Sequence, residues 1–360
     1  MRKHALITIA LFLSGCATGP EPKSEVKEPE VPAKPAGAVV EIKAPLGLPP
    51  VPLPANNPPT VDTIALGRRL YFDTRLSKDG TVSCASCHDP KTGFQDIRPG
   101  SVGVGGKLGG RNAPTVLNSA YNTVQFWDGR SPSLEDQAGG PIENPIEMAH
   151  TAPELVKNLN ADSSYRGDFE RAFGPGPVTF QKVRMAIASF ERTVLSGNSA
   201  FDKWKYGRDA KAMTPEAIRG FNVFNDPKKG NCAVCHTVEK EYALFTDNKF
   251  HNLGVGLDSK GELKDLGRFK ITNQEADKGA FKTPTLRNIA TTAPYMHDGS
   301  LKTLREVVDF YVGGGNSNPY RDKEIKSLDH LSKQERADLV AFMEALNGEV
   351  PPGTGAPEGR

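Results

Sequence analysis

Two pentapeptides carry the chemistry of this chain: Cys84-Ala85-Ser86-Cys87-His88 and Cys232-Ala233-Val234-Cys235-His236. This is the attachment pattern of a c-type haem. Two thiols at this spacing can add to the two vinyl groups of one haem, and the histidine that follows directly reaches the iron as proximal ligand. With 5 Cys and 7 His in 360 residues, chance placement gives roughly 0.001 such pentapeptides. The pair therefore predicts two covalently bound haems, held at Cys84, Cys87, Cys232 and Cys235, with His88 and His236 on the two irons. Zinc would need further Cys or His at finger-like spacing, and neither motif has them. Only Cys16 is left over, so the cysteines do not form a disulfide framework.

The elements that must position these motifs come as a repeat. Pro114-Thr115, Asn118, Asp128-Gly129 and Leu134 match Pro284-Thr285, Asn288, Asp298-Gly299 and Leu304, all at one offset of 170 residues. Each half thus holds a haem motif, a Pro-Thr turn, an Asp-Gly turn and then a helix. Apolar residues at spacings of three and four predict helices over 65–71, 179–195, 215–224, 303–311 and 333–346. Strand-like alternation is scarce. The expected fold is mostly α, with two cytochrome c-type haem domains (45–200 and 201–346) related by the repeat and wrapped in long loops. The halves differ at one place. Gly139-Gly140-Pro141 should break the helix in the first half, whereas in the second it runs on to Tyr311, which falls opposite Pro141. The second haem is then expected to have its distal face closed by Tyr311 and the first to have an open face. One haem would carry electrons and the other would do chemistry.

Length and composition agree. At about 150 residues per domain, 360 residues suggest two domains with some chain left over. Lys plus Arg is 45 and Asp plus Glu is 43, a net charge of +2 without a basic stripe, which argues against nucleic acid as a partner. No apolar run approaches the roughly 20 residues needed to span a bilayer as a helix. Residues 1–15 read as a signal peptide: Arg2 and Lys3, an apolar stretch, then small residues. Its end, Leu13-Ser14-Gly15-Cys16, resembles the bacterial lipobox, in which Cys16 is lipidated; a plain secretory signal is the rival. Ala17 after the cysteine points to the outer membrane, on the periplasmic side of the cell envelope. Residues 16–44 are rich in Pro, Glu, Lys and Ala and should form a flexible spacer, and 347–360 a loose tail.

Beyond the haem motifs, the chain resembles the bacterial di-haem cytochrome c peroxidase and MauG family over residues 46–345. The resemblance rests on Leu66-Gly67-Arg68 with Tyr71-Phe72-Asp73, Arg111-Asn112-Ala113-Pro114-Thr115, Phe126-Trp127-Asp128-Gly129-Arg130, Gln137 to Pro141, Glu147-Met148 and Ala293-Pro294-Tyr295-Met296-His297-Asp298-Gly299. It implies that the first haem is the peroxide site and that Trp127 conducts electrons between the haems. It also implies that Glu147 and Gln137 line the distal pocket, and that a calcium ion is held by Asn112 and the carbonyls of Thr292 and Pro294. Glu147 can shuttle a proton between the peroxide oxygens, whereas Gln137 can orient but cannot titrate.

Two departures from the family pattern matter. The loop over 98–111, where peroxidases place a histidine that blocks the first iron, contains no His and no Met. The first haem is then expected to be open as made, with His150 or Met148 as the possible substitutes. Tyr311 stands where the peroxidases have Met and MauG has Tyr; tyrosinate would lower the second haem's potential. Met296 is the rival ligand, and His297 reads as a hydrogen-bonding residue near that haem. The resemblance implies a peroxidase that reduces hydrogen peroxide to water with electrons from a small cytochrome c or cupredoxin. The alternatives are a MauG-like enzyme that oxidises side chains of a partner protein, and a non-catalytic electron carrier. A homodimer is compatible with each.

Overall fold

A computed structural model describes residues 33–357. The expected signal peptide, the lipidation site Cys16 and the first part of the spacer lie outside the described residues. From Lys34 onward the chain forms one compact unit. No helix among the described residues is long and apolar enough to cross a membrane.

Most helices start at a residue whose side chain accepts one of the backbone N–H groups left free there. Thr60 caps α1 (Val61–Tyr71), Ser133 caps α2 (Leu134–Glu143), Thr151 caps α3 (Ala152–Ala161) and Asp162 caps α4 (Ser163–Phe173). Thr179, Ser199 and Thr214 cap α5 (Phe180–Glu191), α6 (Ala200–Lys205) and α7 (Pro215–Asn225). The one-turn α8 (Phe269–Thr272) has no capping side chain; Thr303 and Ser332 cap α9 (Leu304–Val312) and α10 (Lys333–Glu344). A short antiparallel pair, β1 (Phe250–His251) and β2 (Phe281–Lys282), places Phe250 opposite Lys282. The five predicted helices are present, and the fold is mostly helical with little sheet.

Two helix pairs frame the haem motifs: α1 crosses α5, and α7 crosses α10. Each crossing is close because a glycine sits in it. A Cβ on Gly67 would lie 1.8 Å from the Ala186 carbonyl oxygen, and one on Gly220 would lie 1.9 Å from that of Asp338. The repeat is visible in the backbone. Asn118 and Asn288 share φ of 61° and 59°, Phe126 and Met296 share 67° and 71°, and the Gln125–Ser131 bridge recurs as Tyr295–Leu301.

The break expected at Gly139-Gly140-Pro141 does not occur there: α2 continues through Pro141 to Glu143. Proline costs the turn one hydrogen bond, but Leu134, Ala138 and Ile142 are buried and the Asn144 N–H closes onto the Gly140 carbonyl at 3.0 Å. Packing on α5 thus outweighs local propensity, and the chain leaves the helix at Asn144. The described parts of the spacer and tail are also not loose. Ala36 and Val40 donate to the Ala172 and Pro59 carbonyls, both at 2.8 Å. Arg68 donates to the carbonyls of Gly355 and Ala356 at 2.7 and 2.9 Å. These segments are too polar and too proline-rich to fold alone, but the body satisfies their backbone groups.

Candidate active site

Cys84–Ser86 and Cys232–Val234 each form one tight helical turn, and the N–H groups of His88 and His236 bond back to the first cysteine's carbonyl at 3.0 and 2.9 Å. The turn brings two thiols and an imidazole onto one cavity in each half. The first cavity, about 640 Å³, is lined by Cys84, Cys87 and His88; the second, about 390 Å³, by Cys232, Cys235 and His236. Nδ1 of His88 faces the Phe94 carbonyl at 3.2 Å, and Nδ1 of His236 faces that of Phe245 at 2.8 Å. A carbonyl can only accept, so Nδ1 carries the proton and Nε2 is left as the ligating atom. Burial holds both imidazoles below the usual histidine range, hence neutral, as a metal ligand must be. Two thiols, one oriented neutral imidazole and a largely apolar wall fit a covalent haem in both cavities.

In the first cavity, Gln137 and Pro141 from α2 and Glu147 and Met148 from the turn after it share the lining. The Asn144 amide donates to Glu147 Oε1 at 2.6 Å. Burial pushes the Glu147 carboxyl above the ordinary carboxylate range, against the opposing pull of Arg130 and of the Asn144 bond. Among the described residues that line this cavity His88 is the one imidazole, and the loop over 98–111 contributes Ser101, Gly109, Gly110 and Arg111. Of the two substitutes for a blocking ligand, Met148 is in the lining, whereas His150 is not; its Nδ1 accepts the Thr151 N–H at 2.9 Å.

The second cavity brings Tyr311 and Met296 together with His251, His297 and His330. Burial and the neighbouring Cys232 and Cys235 push the Tyr311 phenol above its usual range. His297 is stacked on Phe281 with ring centroids 3.6 Å apart, and burial lowers its pKa to about 4. His251 is held between Asp322 and Asp247 at 2.5 and 3.0 Å.

Trp127 lines both cavities, its indole N–H donating to the Asn112 carbonyl at 2.9 Å. Asn112, Thr292 and Pro294 lie together along the second cavity. The Asn112 amide nitrogen donates to the carbonyls of Asp96 and Arg98, at 2.9 and 2.8 Å, which turns its Oδ1 away from them. Among the described residues neither that oxygen nor the Thr292 and Pro294 carbonyls accept a hydrogen bond. These are hard donors suited to calcium, though without a carboxylate.

Three residues of these cavities carry no motif or spacing signal in the sequence. Glu191 lines the first cavity, buried, with Oε2 lacking a partner, and burial raises its pKa to about 8. Lys282 lines both cavities. His251 gave no hint of its two aspartates. The helix crossings supply a signal for Glu191: Phe190 packs on Gly67 as Phe342 packs on Gly220, which sets Glu191 opposite Met343. That register differs from the 170-residue offset, so the repeat alone hides it.

Comparison with known proteins agrees with this geometry. Residues 61–210 match the family model for di-haem cytochrome c peroxidase, and 217–347 match that for cytochrome c. The methylamine utilization protein MauG of Methylorubrum extorquens is 42% identical over 300 residues, covering 83% of this chain and 82% of MauG. The cytochrome c551 peroxidase of Nitrosomonas europaea is 38% identical, covering 83% and 84%. A crystal structure of a MauG-like protein associated with microbial copper homeostasis superposes with a TM-score of 0.74 at 35% identity, covering 85% of this chain and 95% of that one. With both haem motifs seated on paired cavities and this likeness running through both halves, the chain belongs to the di-haem cytochrome c peroxidase and MauG family.

Proposed function

We propose that the protein, an oxidoreductase acting on peroxide, reduces hydrogen peroxide to water in the first cavity with electrons that arrive through the second. The observation that carries this is Glu147: a half-buried carboxyl, fixed by Asn144, in a cavity whose described lining offers His88 as its one imidazole. When bound, the haems supply the redox-active irons that take up two electrons and pass them to peroxide. Cleaving the O–O bond to yield two waters needs two electrons, two protons, and transfer of a proton from the inner to the outer oxygen. Asn144 holds Oε1 of Glu147, which leaves Oε2 to take that proton and return it. Gln137 offers amide donors that orient the peroxide. Pro141, which has no ligating atom, occupies in the first half the place that Tyr311 holds in the second. Trp127, in the wall common to both cavities, is the electron route, and the donor is a small periplasmic cytochrome c or cupredoxin.

A second reading is favoured by Tyr311, which matches the MauG pattern: the oxidising equivalents are withdrawn from side chains of a partner protein. Family membership favours either enzyme over a simple carrier. Asn112 Oδ1 and the carbonyls of Thr292 and Pro294 would hold a calcium ion, their lack of hydrogen-bond donors supporting this. The two haem domains span 45–200 and 201–346, and a lipid on Cys16 would tether them to the periplasmic face of the outer membrane. Electron paramagnetic resonance of the fully oxidised protein, before and after one equivalent of peroxide, tests the reading. One high-spin and one low-spin signal are expected, with turnover once a reduced cytochrome is added. Loss of both signals without a donor would favour the MauG-like mechanism, and two low-spin signals indifferent to peroxide would refute an open first cavity.

A further inference from the structure

Lys282 is the one cation that the two cavities share among the described residues. Its place is fixed by backbone bonding: its N–H donates to the Trp127 carbonyl at 2.8 Å, and it pairs with Phe250 across the β1–β2 register. The residue is 7% exposed. Its ammonium has one hydrogen-bond contact, Asn122 Oδ1 at 3.4 Å, and no ion pair among the described residues. The other cations lining the first cavity are already paired: Arg111 with Asp128 and Asp265, Arg130 with Asp128, and Lys270 with Asp265. A buried ammonium with a single long neutral contact is costly, and burial pushes its pKa down to about 8. The site therefore calls for an anion. A haem has two propionate carboxylates, and both cavities must house such a pair.

We infer that Lys282 is a shared cation for propionate carboxylates of both haems, a positioning residue that couples their redox behaviour. This rests on the two-haem reading. A positive charge beside a haem favours its reduced form, so one ammonium touching both would raise both potentials, and its removal would lower both.

The test is spectroelectrochemistry of holo-protein carrying Lys282→Gln or Lys282→Arg, with haem counted by the pyridine haemochrome method. Lys282→Gln is expected to retain two haems and to lower the reduction equilibrium constant of each about tenfold, or about 59 mV for a one-electron couple. Lys282→Arg should stay near wild type. A shift in one haem alone, or in neither, overturns the shared role while leaving the two-haem reading intact. A wild-type protein with fewer than two haems would instead overturn that reading. Should Lys282→Gln fail to take up both haems, resonance Raman spectra of wild type and Lys282→Arg decide. Altered propionate-bending modes in both haems support the contact, and unchanged modes overturn it.

Discussion

Glu191→Gln should flatten part of the protein's pH-stability profile. The carboxyl is 5% exposed, Oε2 has no hydrogen-bond partner, and the adjacent Arg192 pairs with Glu135 at 2.7 Å instead. Burial raises its pKa from 4.5 to about 8. A raised value means that the native state holds the proton more tightly than the unfolded chain. The associated stability is complete below pH 4.5, declines as pH rises, and is gone above about 8. Each pH unit in that window is worth about 1.4 kcal/mol, so the loss between pH 5 and 8 is on the order of 4 kcal/mol. Glutamine keeps the shape and the neutral state without the titration. The assay is urea unfolding of holo-protein and variant at half-unit steps from pH 5 to 9. The stability of the variant relative to wild type should climb by about 1.4 kcal/mol per unit and then level off. A difference that stays flat across the window would show that Glu191 is already ionised at pH 5, and the reasoning from burial would fail.

Two further outcomes follow from the site. Glu147→Gln should slow peroxide turnover by about 10²-fold or more and abolish the acid limb of the pH–rate profile. In wild type that limb should lie above the ordinary carboxylate range, because the base must be ionised and its pKa is raised by burial. Turnover within a few-fold of wild type would remove Glu147 from the mechanism. Tyr311→Phe should change the low-spin haem spectrum, and Tyr311→Met should raise the second haem's potential. An unchanged spectrum in the phenylalanine variant would transfer the ligand assignment to Met296.

Much of the site is legible in the sequence because attachment chemistry imposes fixed spacing. Two thiols and a histidine within five residues need only one turn to converge, so Cys84, Cys87 and His88 could be read without any fold. Glu147, Gln137 and Trp127 needed the family resemblance, since a lone carboxylate or indole has no spacing to betray it. Lys282, Glu191 and the Asp247–His251–Asp322 group stayed hidden. Their meaning comes from burial and from partners up to 160 residues away, and neither is encoded in local periodicity. The continuation of α2 through Pro141 is hidden from the sequence for a related reason. Proline's cost is local and visible, whereas the packing of Leu134, Ala138 and Ile142 that offsets it is tertiary.

The repeat turns these observations into an account of divided labour. The turn geometry that follows the two haem motifs is nearly the same, with Gly129 and Gly299 at φ of 66° and 63° and Phe126 and Met296 at 67° and 71°. The backbone conformation of these Asp-Gly turns therefore does not distinguish the two sites. What differs is the side chain at matched positions: Pro141 against Tyr311, Trp127 against His297, Glu191 against Met343. In the first half these choices remove a ligating atom and leave a titratable carboxyl in the wall. In the second they supply a phenol and an apolar contact. The division we propose, peroxide in one half and electrons in the other, thus rests on substitutions at matched positions beside the extra helices α3 and α4 of the first half, and exchanging Pro141 and Tyr311 is where it is most exposed to experiment.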